Sequence, residues 1–227
     1  MELTDLSDSA QNYLKTLWTL SEWSGAPVPP SEVATHLGLR PSSVSDQIRR
    51  LREQSLVEHA PYGAVSLTPE GRRLALQMVR RHRLVETFLA EVLGYPWDEV
   101  HEDADRLEHA VSDRMLERLD EYLGSPAHDP HGDPIPGPDG DLGDRGDRPL
   151  TSSRIGEAIE ITRIRDADPA LLRHLGARGV VPGAGFTVSD DGASSGVIAL
   201  EPASPEGGAV AVSVDVAESI RIAAPRG

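Results

Sequence analysis

The chain contains no cysteine, which excludes disulfides, zinc–thiolate sites and iron–sulfur clusters. It has no apolar run near the roughly 20 residues that span a bilayer. The opening Met1-Glu2-Leu3-Thr4-Asp5 carries no basic signal region. These absences predict a cytoplasmic protein with no membrane partner. Positive charge is scarce as well: 22 Lys and Arg stand against 37 Asp and Glu, a formal net charge of −15. Such a balance opposes binding to a polyanion such as DNA. Basic groups gathered on one surface, or bound cations, would relieve that opposition. With 227 residues, 38% of them hydrophobic, the chain suffices for one to three small domains.

Composition divides it. Residues 1–71 and 72–124 read as helix after helix with one short strand pair. Residues 125–152 hold six prolines, five glycines and six aspartates and read as a linker. Within it, His131-Gly132-Asp133-Pro134-Ile135-Pro136 is expected to dock on the β domain in some states as a proline-rich ligand, with an inert tether as the alternative. From about Ile155 short alternating runs appear: 158–161, 185–188, 196–200 and 209–214, punctuated by Gly183, Gly192 and Gly207-Gly208. They predict a small β domain, a barrel, over 153–227. The fold class is therefore mainly α with a C-terminal β domain.

Ser7 or Asp8 is placed to cap a first helix with Ala10, Leu14, Leu17 and Trp18 on one face. Pro30-Ser31-Glu32 opens a second helix that Gly38 stops. Pro41 suits the first turn of a third, with Val44, Ile48 and Leu51 at i, i+4, i+7. Two short helices joined by a tight turn form a helix-turn-helix pattern. Runs 56–59 and 64–67 around Ala60-Pro61-Tyr62-Gly63 read as a hairpin wing, and Thr68-Pro69-Glu70-Gly71 starts a long helix. Candidate DNA contacts are Arg40, Ser42, Ser43, Asp46, Arg49 and Arg50 at the third helix and Tyr62 in the wing. Arginine and serine suit phosphates, and an aspartate near the helix start can accept from cytosine N4. The mixed charge of this face also fits a winged helix used for protein contacts.

The sharpest chemistry lies in 78–113. His82 and Glu86 stand at i, i+4 in a helical pattern. After Gly94-Tyr95-Pro96, Asp98 is placed to cap a helix carrying His101, Asp105, Glu108 and His109. Offsets of 0, 4, 7 and 8 put these four on one stripe. Gathered carboxylates repel, and a shared cation holds them together. A surface pair for His82–Glu86 and an ordinary acidic helix are the plain alternatives. His36, His59, His128 and His131 have no partner at ligand spacing and read as surface groups.

The order of these motifs resembles the diphtheria-toxin-repressor family of iron- and manganese-dependent regulators, in particular its manganese transport regulators of actinobacterial type. It runs from a winged helix to Arg81-His82-Arg83-Leu84-Val85-Glu86, Trp97–Ala104, Leu107–Asp113 and His131-Gly132-Asp133-Pro134-Ile135-Pro136. Residues Leu175–Gly183 are similar to the SH3-like domain that the family shares with the ferrous iron transport protein A. The resemblance implies a homodimer that binds double-stranded operator DNA through residues 1–71, with metal and dimer contacts in 72–124. It implies a primary metal site of Asn12, Asp105, Glu108 and His109. A second would use His82, Glu86 and His101, with Asp166 and Asp168 as further candidates. Iron-type members have a cysteine where this chain has Asp105 and a methionine where it has Asn12. Many manganese-type members have an aspartate at the latter position. Nitrogen and oxygen donors without sulfur suit Mn(2+), two per subunit, with Fe(2+), Co(2+), Zn(2+) or Cd(2+) as ions that would also enter in vitro. The reading is a manganese-activated repressor of metal homeostasis and not an enzyme. An iron-sensing repressor and a metal-dependent hydrolase are the alternatives, the latter lacking any nucleophile motif.

Overall fold

A computed structural model of the chain describes residues 1–59, 63–143, 146–190, 196–204 and 208–225. Tyr62 lies outside the described residues. The chain folds as two compact units. The first comprises Met1–His82, Glu108–Val111 and Pro136–Asp141; the second comprises Arg83–Leu107, Ser112–Ile135 and Leu142–Gly227. The boundaries expected at 71 and 124 are not where compactness divides, because chain segments return to each unit.

The first unit opens with α1 (Asp8–Ser24), whose start is fixed by Ser7 Oγ accepting from the Ala10 amide. Then come α2 (Pro30–Leu37), closed by left-handed Gly38, and α3 (Pro41–Glu53), begun by proline. Leu14, Leu17, Val33, Val44, Ile48 and Leu51 are buried, as the helical spacing predicts. Strands β1 (Val57–His59) and β2 (Val65–Leu67) pair antiparallel. Thr68 Oγ1 accepts from the Gly71 amide at 3.0 Å at the start of α4 (Pro69–Glu91). Arg72 stacks over the Trp18 ring at 4.5 Å, which fastens α4 to α1. Residues 136–141 pack back on α4, where Arg80 donates to the Pro136 carbonyl at 2.8 Å.

The second unit takes residues 83–91 of α4, then α5 (Val100–Leu107) and α6 (Asp113–Leu123), capped by Ser112 and left-handed Gly124. Its sheet contains β3 (Arg148–Pro149), β4 (Ala158–Ile164), β5 (Gly185–Ser189), β6 (Val197–Pro202), β7 (Val210–Ser213) and β8 (Ile220–Ala223). All pairings are antiparallel, in the order β3-β8-β4-β5-β6-β7. Helices α7 (Pro169–Gly176) and α8 (Val214–Ala217) complete it. Ile159, Ile161, Phe186, Leu200, Val212 and Ile222 fill the core. The register of β4 against β8 shifts between Ile161 and Arg163. A bulge re-aims a side chain, and Arg163 is turned into the protein.

That inward arginine helps to hold part of the expected linker, which is docked and not an inert tether. Asp129, His131, Asp133 and Ile135 are buried, and 129–135 is a docked segment of the second unit. The Ile164 amide donates to the His131 carbonyl at 2.9 Å. Arg163 Nε donates to Asp133 Oδ1 at 2.5 Å, and Arg83 donates to the Pro134 carbonyl at 2.6 Å. A segment rich in proline and glycine lacks regular secondary structure, yet its backbone groups find partners on a neighbouring strand.

Candidate metal centres and nucleic-acid interface

The four-residue stripe expected at 101–109 does not persist. Helix α5 ends at Leu107, and Glu108 to Ala110 form a turn. Two neighbours force the break: Arg81 holds the Val111 carbonyl at 2.5 Å, and Ser112 must leave the helix to cap α6. Glu108 and His109 therefore belong to the first unit, and His101 and Asp105 to the second. Asp98, expected as the cap of this helix, instead accepts from Arg173 at 2.8 Å.

In the first unit the wholly buried Glu108 is the centre. His82 Nδ1 donates to Glu108 Oε2 at 2.6 Å. Lys15 Nζ donates to Oε1 at 2.7 Å and Oε2 at 2.8 Å, and approaches His82 Nδ1 at 3.3 Å. Burial raises the Glu108 pKa, but His82 and Lys15 outweigh it and hold the carboxyl below its usual range. His109 is oriented by Gln11. The Gln11 amide nitrogen donates to the Leu3 and Leu6 carbonyls, both at 3.1 Å, so its oxygen faces His109 Nδ1 at 2.8 Å. Nδ1 must then carry the proton. That leaves a lone pair on Nε2, which is buried with no hydrogen-bond partner among the described residues. Nε2 lies 3.6 Å from Glu108 Oε1. Asn12 is half-buried on α1; Gln11, which sequence reasoning passed over, is the amide that meets a candidate ligand.

In the second unit the buried Glu86 stands between two groups. His101 Nδ1 lies 3.2 Å from Glu86 Oε1 and 3.0 Å from Asp166 Oδ2. These three offer ligand atoms within 4.8 Å of one another. Asp105, exposed, pairs with His101 Nε2 at 3.6 Å. Glu86, Asp129 and His131, all buried, form the other group, their ligand atoms likewise within 4.8 Å of one another. His131 Nε2 donates to the Trp97 carbonyl at 2.7 Å. Its Nδ1 is buried with no hydrogen-bond partner among the described residues; burial lowers the pKa of the ring, but Glu86 and Asp129 outweigh it and raise it. Nδ1 lies 3.8 Å from Glu86 Oε2 and 4.0 Å from Asp129 Oδ1.

Electrostatics mark this cluster as short of positive charge. Burial, reinforced by Asp133 and Glu86, pushes the Asp129 carboxyl well above the usual carboxylate range. Burial lowers the His101 pKa, but Asp166 and Glu86 overcome it and push it up to about 11. The donors are imidazole and carboxylate only, a set that fits a hard or borderline divalent cation.

Of the residues expected here, His82 is placed with Glu108 in the first unit, and Glu86, His101 and Asp166 are brought together in the second. Asp168 is not in the cluster: its carboxylate caps α7, accepting from the Ala170 and Leu171 amides at 2.9 and 3.2 Å. Sequence reasoning missed Asp129 and His131. His131, read as a surface group, is fully buried. The signal that could have found them was the alternation His128, Asp129, His131, Asp133, a density of ligand-type residues that an inert linker does not need.

Arg40, Ser42, Ser43, Asp46, Arg49 and Arg50 are all exposed along α3 and its N-cap. Arg49 is flanked by Asp46 at 3.3 Å and Glu53 at 3.6 Å. No helix among the described residues is long and apolar enough to cross a membrane.

Comparison with known proteins identifies relatives of the whole chain. A profile described as the iron-dependent repressor N-terminal DNA-binding domain matches residues 5–65. The metal-binding and dimerisation domain of the same repressors matches 68–137, and the FeoA domain matches 148–224. The match to 137 includes Asp129 and His131. The iron-dependent repressor IdeR of Mycobacterium leprae is 31% identical over 214 residues, 87% of this chain and 91% of its own length. The diphtheria toxin repressor of Corynebacterium diphtheriae is 34% identical over 171 residues, 75% of this chain and 71% of its own. Among solved structures, a manganese-dependent transcriptional repressor in complex with manganese superposes with a TM-score of 0.89 at 46% identity, covering 95% of this chain and 99% of that one. The manganese regulator SloR gives 0.80 at 30% identity, covering 94% and 97%.

Proposed function

The chain belongs to the iron-dependent repressor family of metal-dependent, DNA-binding transcriptional repressors, which are not enzymes, and on that premise we propose that it is a cytoplasmic, manganese-activated repressor of metal-homeostasis genes. One ion is held in the first unit by His82, Glu108 and His109. The second is held in the second unit around Glu86, by His131 and Asp129 with His101 and Asp166. The observation that carries the reading is a shared posture of two imidazoles. His109 Nε2 and His131 Nδ1 are both buried without a hydrogen-bond partner among the described residues. Each is turned beside a buried carboxylate by a hydrogen bond on the opposite ring nitrogen. Such an outer hydrogen bond fixes tautomer and direction in metal sites.

A bound divalent ion supplies positive charge to buried carboxylates. Two ions would bring four positive charges against the formal −15, easing approach to DNA. Gln11 and Lys15 lie on α1, so the state of the first site bears directly on the first helix of the DNA-binding domain. The functional form is a two-fold dimer, with exposed Met115 and Tyr122 of α6 among its apolar contacts. The second reading, iron sensing, draws on the likeness to the iron-dependent repressors IdeR. Donors without sulfur favour manganese over it.

The test is operator binding by fluorescence anisotropy with metal-free protein, Mn(2+) and anaerobic Fe(2+), alongside metal stoichiometry. Mn(2+) at roughly micromolar free concentration should switch binding on, with two ions per subunit. Activation by Fe(2+) in the absence of any response to Mn(2+) would refute the manganese assignment.

A further inference from the structure

Only one of the 22 Lys and Arg residues in this chain is a lysine, and it is Lys15. Everywhere else the protein uses arginine. Lys15 projects from α1, and its side chain is 13% exposed. Its ammonium bridges both oxygens of the buried Glu108, at 2.7 and 2.8 Å, and stands 3.3 Å from His82 Nδ1. An ammonium is a compact point charge, whereas a guanidinium is a planar fork. Lysine is thus the side chain that most nearly imitates a cation on this carboxylate.

We propose that Lys15 is a built-in competitor for the first metal site: it neutralises Glu108 when metal is absent and must be displaced for the ion to bind. This rests on the reading that Glu108, His82 and His109 hold that ion. The argument is steric and electrostatic. An ion on Glu108 needs at least one of the two oxygens that Lys15 occupies. Like charges a few Å apart in a buried setting repel strongly, so ammonium and divalent ion do not share the carboxylate. Lys15 also explains how a wholly buried carboxylate is tolerated without metal, since a buried charge needs a partner. The consequence is a tuned threshold. The site binds metal more weakly than its donors alone would, and occupancy moves a side chain of α1.

A single lysine makes the test direct. Amine acylation followed by mass spectrometry reports on Lys15 and the N-terminal amine alone. Saturating Mn(2+) should raise the acylation rate of Lys15 in the intact wild-type protein by roughly tenfold, as a protected amine becomes exposed. In parallel, Lys15→Met should bind the ion of this site roughly tenfold more tightly or better, a gain of about 1.4 kcal/mol. Glu108→Gln serves as the control on the underlying reading and should lose one ion per subunit. If Glu108→Gln keeps both ions at wild-type affinity, the metal assignment fails. If it loses one ion, yet Mn(2+) leaves Lys15 acylation unchanged or a folded Lys15→Met binds metal no more tightly than wild type, displacement by Lys15 is overturned while the site stands. The acylation measurement needs no variant, so a poorly folded Lys15→Met leaves the proposal open to refutation.

Discussion

A Cβ added to Gly132 would lie 1.9 Å from the Thr162 carbonyl oxygen, so the backbone of the docked segment rests directly on β4. Its φ is +84°, in the left-handed region that favours glycine. Both conditions select glycine one residue after His131. Gly132→Ala must therefore lift the segment from β4 and move His131 away from Glu86. The expected outcome is a protein less stable by about 2–3 kcal/mol that binds one ion per subunit instead of two, with the ion at Glu108 retained. Urea unfolding and metal stoichiometry by calorimetry check it. Wild-type stability with two ions would show that the close approach is dispensable.

Much of the first unit was legible in the sequence. Caps, prolines at first turns and apolar spacing fix α1, α2 and α3 locally, so Ser7, Pro41 and the Val44–Ile48–Leu51 face read through directly. The second unit was harder because its determinants are long-range. Nothing local to Asp129 or His131 indicates burial; that follows from β4 lying beneath them and from Arg163 being turned inward by a bulge. The stripe at 101–109 failed for a similar reason. Helical spacing extrapolates past Leu107, but Arg81 and the Ser112 cap end the helix there. The family resemblance supplied Glu108 and His109 as ligands; it did not supply Gln11 or Lys15, which appear only once α1 is laid against the turn.

Arg163 and Asp133 form a pair buried on both sides, with Asp147 Oδ2 at 3.8 Å from the same guanidinium. Removing one partner from a buried pair leaves an uncompensated charge, at a cost of roughly 3–5 kcal/mol. Arg163→Met should therefore destabilise the second unit by that order and loosen 129–135. Arg163→Met combined with Asp133→Leu should recover part of the loss, since neither member of the pair is then left facing the other's absence; the recovery stays partial because Asp147 loses Arg163 and Arg83 loses Asp133. A double-mutant cycle in urea measures the coupling. Additive losses would mean that the two side chains act independently.

On α3, Arg49 is held between two carboxylates and Arg50 has no ion pair among the described residues. Arg50→Ala should weaken operator and non-operator DNA alike and reduce the slope of log affinity against log salt by about 1 for each phosphate it no longer neutralises. Asp46→Asn should act otherwise. It leaves Arg49 paired with Glu53 alone and replaces a charged acceptor by a neutral amide that also donates, so non-operator binding strengthens while the operator preference narrows. Anisotropy titrations on both DNAs across a salt series distinguish these effects. A salt slope unchanged by Arg50→Ala would place that arginine away from the phosphates.

Gln11 and Asn12 are neighbours on α1 with different expected roles. Gln11 fixes His109 with Nε2 toward Glu108, by way of an amide whose other end is tied to the Leu3 and Leu6 carbonyls. Gln11→Met keeps the volume and removes the acceptor. His109 Nδ1–H then loses its partner, and the ring is no longer held in the ligand tautomer. Loss of such an outer hydrogen bond typically weakens a metal site by about 10–100-fold. That is the expected drop at the Glu108 site, with the ion of the second unit unaffected. Asn12→Ala should leave affinity at both sites within a few-fold, because a neutral amide contributes little charge. If Asn12 joins the first ion when metal binds, the same change should still cut the gain in operator affinity on adding Mn(2+), a coupling of about 1–3 kcal/mol. Joint titration of metal and operator separates the two residues, since Gln11→Met shifts the metal midpoint and Asn12→Ala shifts only the coupling. Wild-type metal affinity in Gln11→Met would mean that His109 is oriented by the ion itself, and that the hydrogen bond to α1 follows metal binding instead of preparing it.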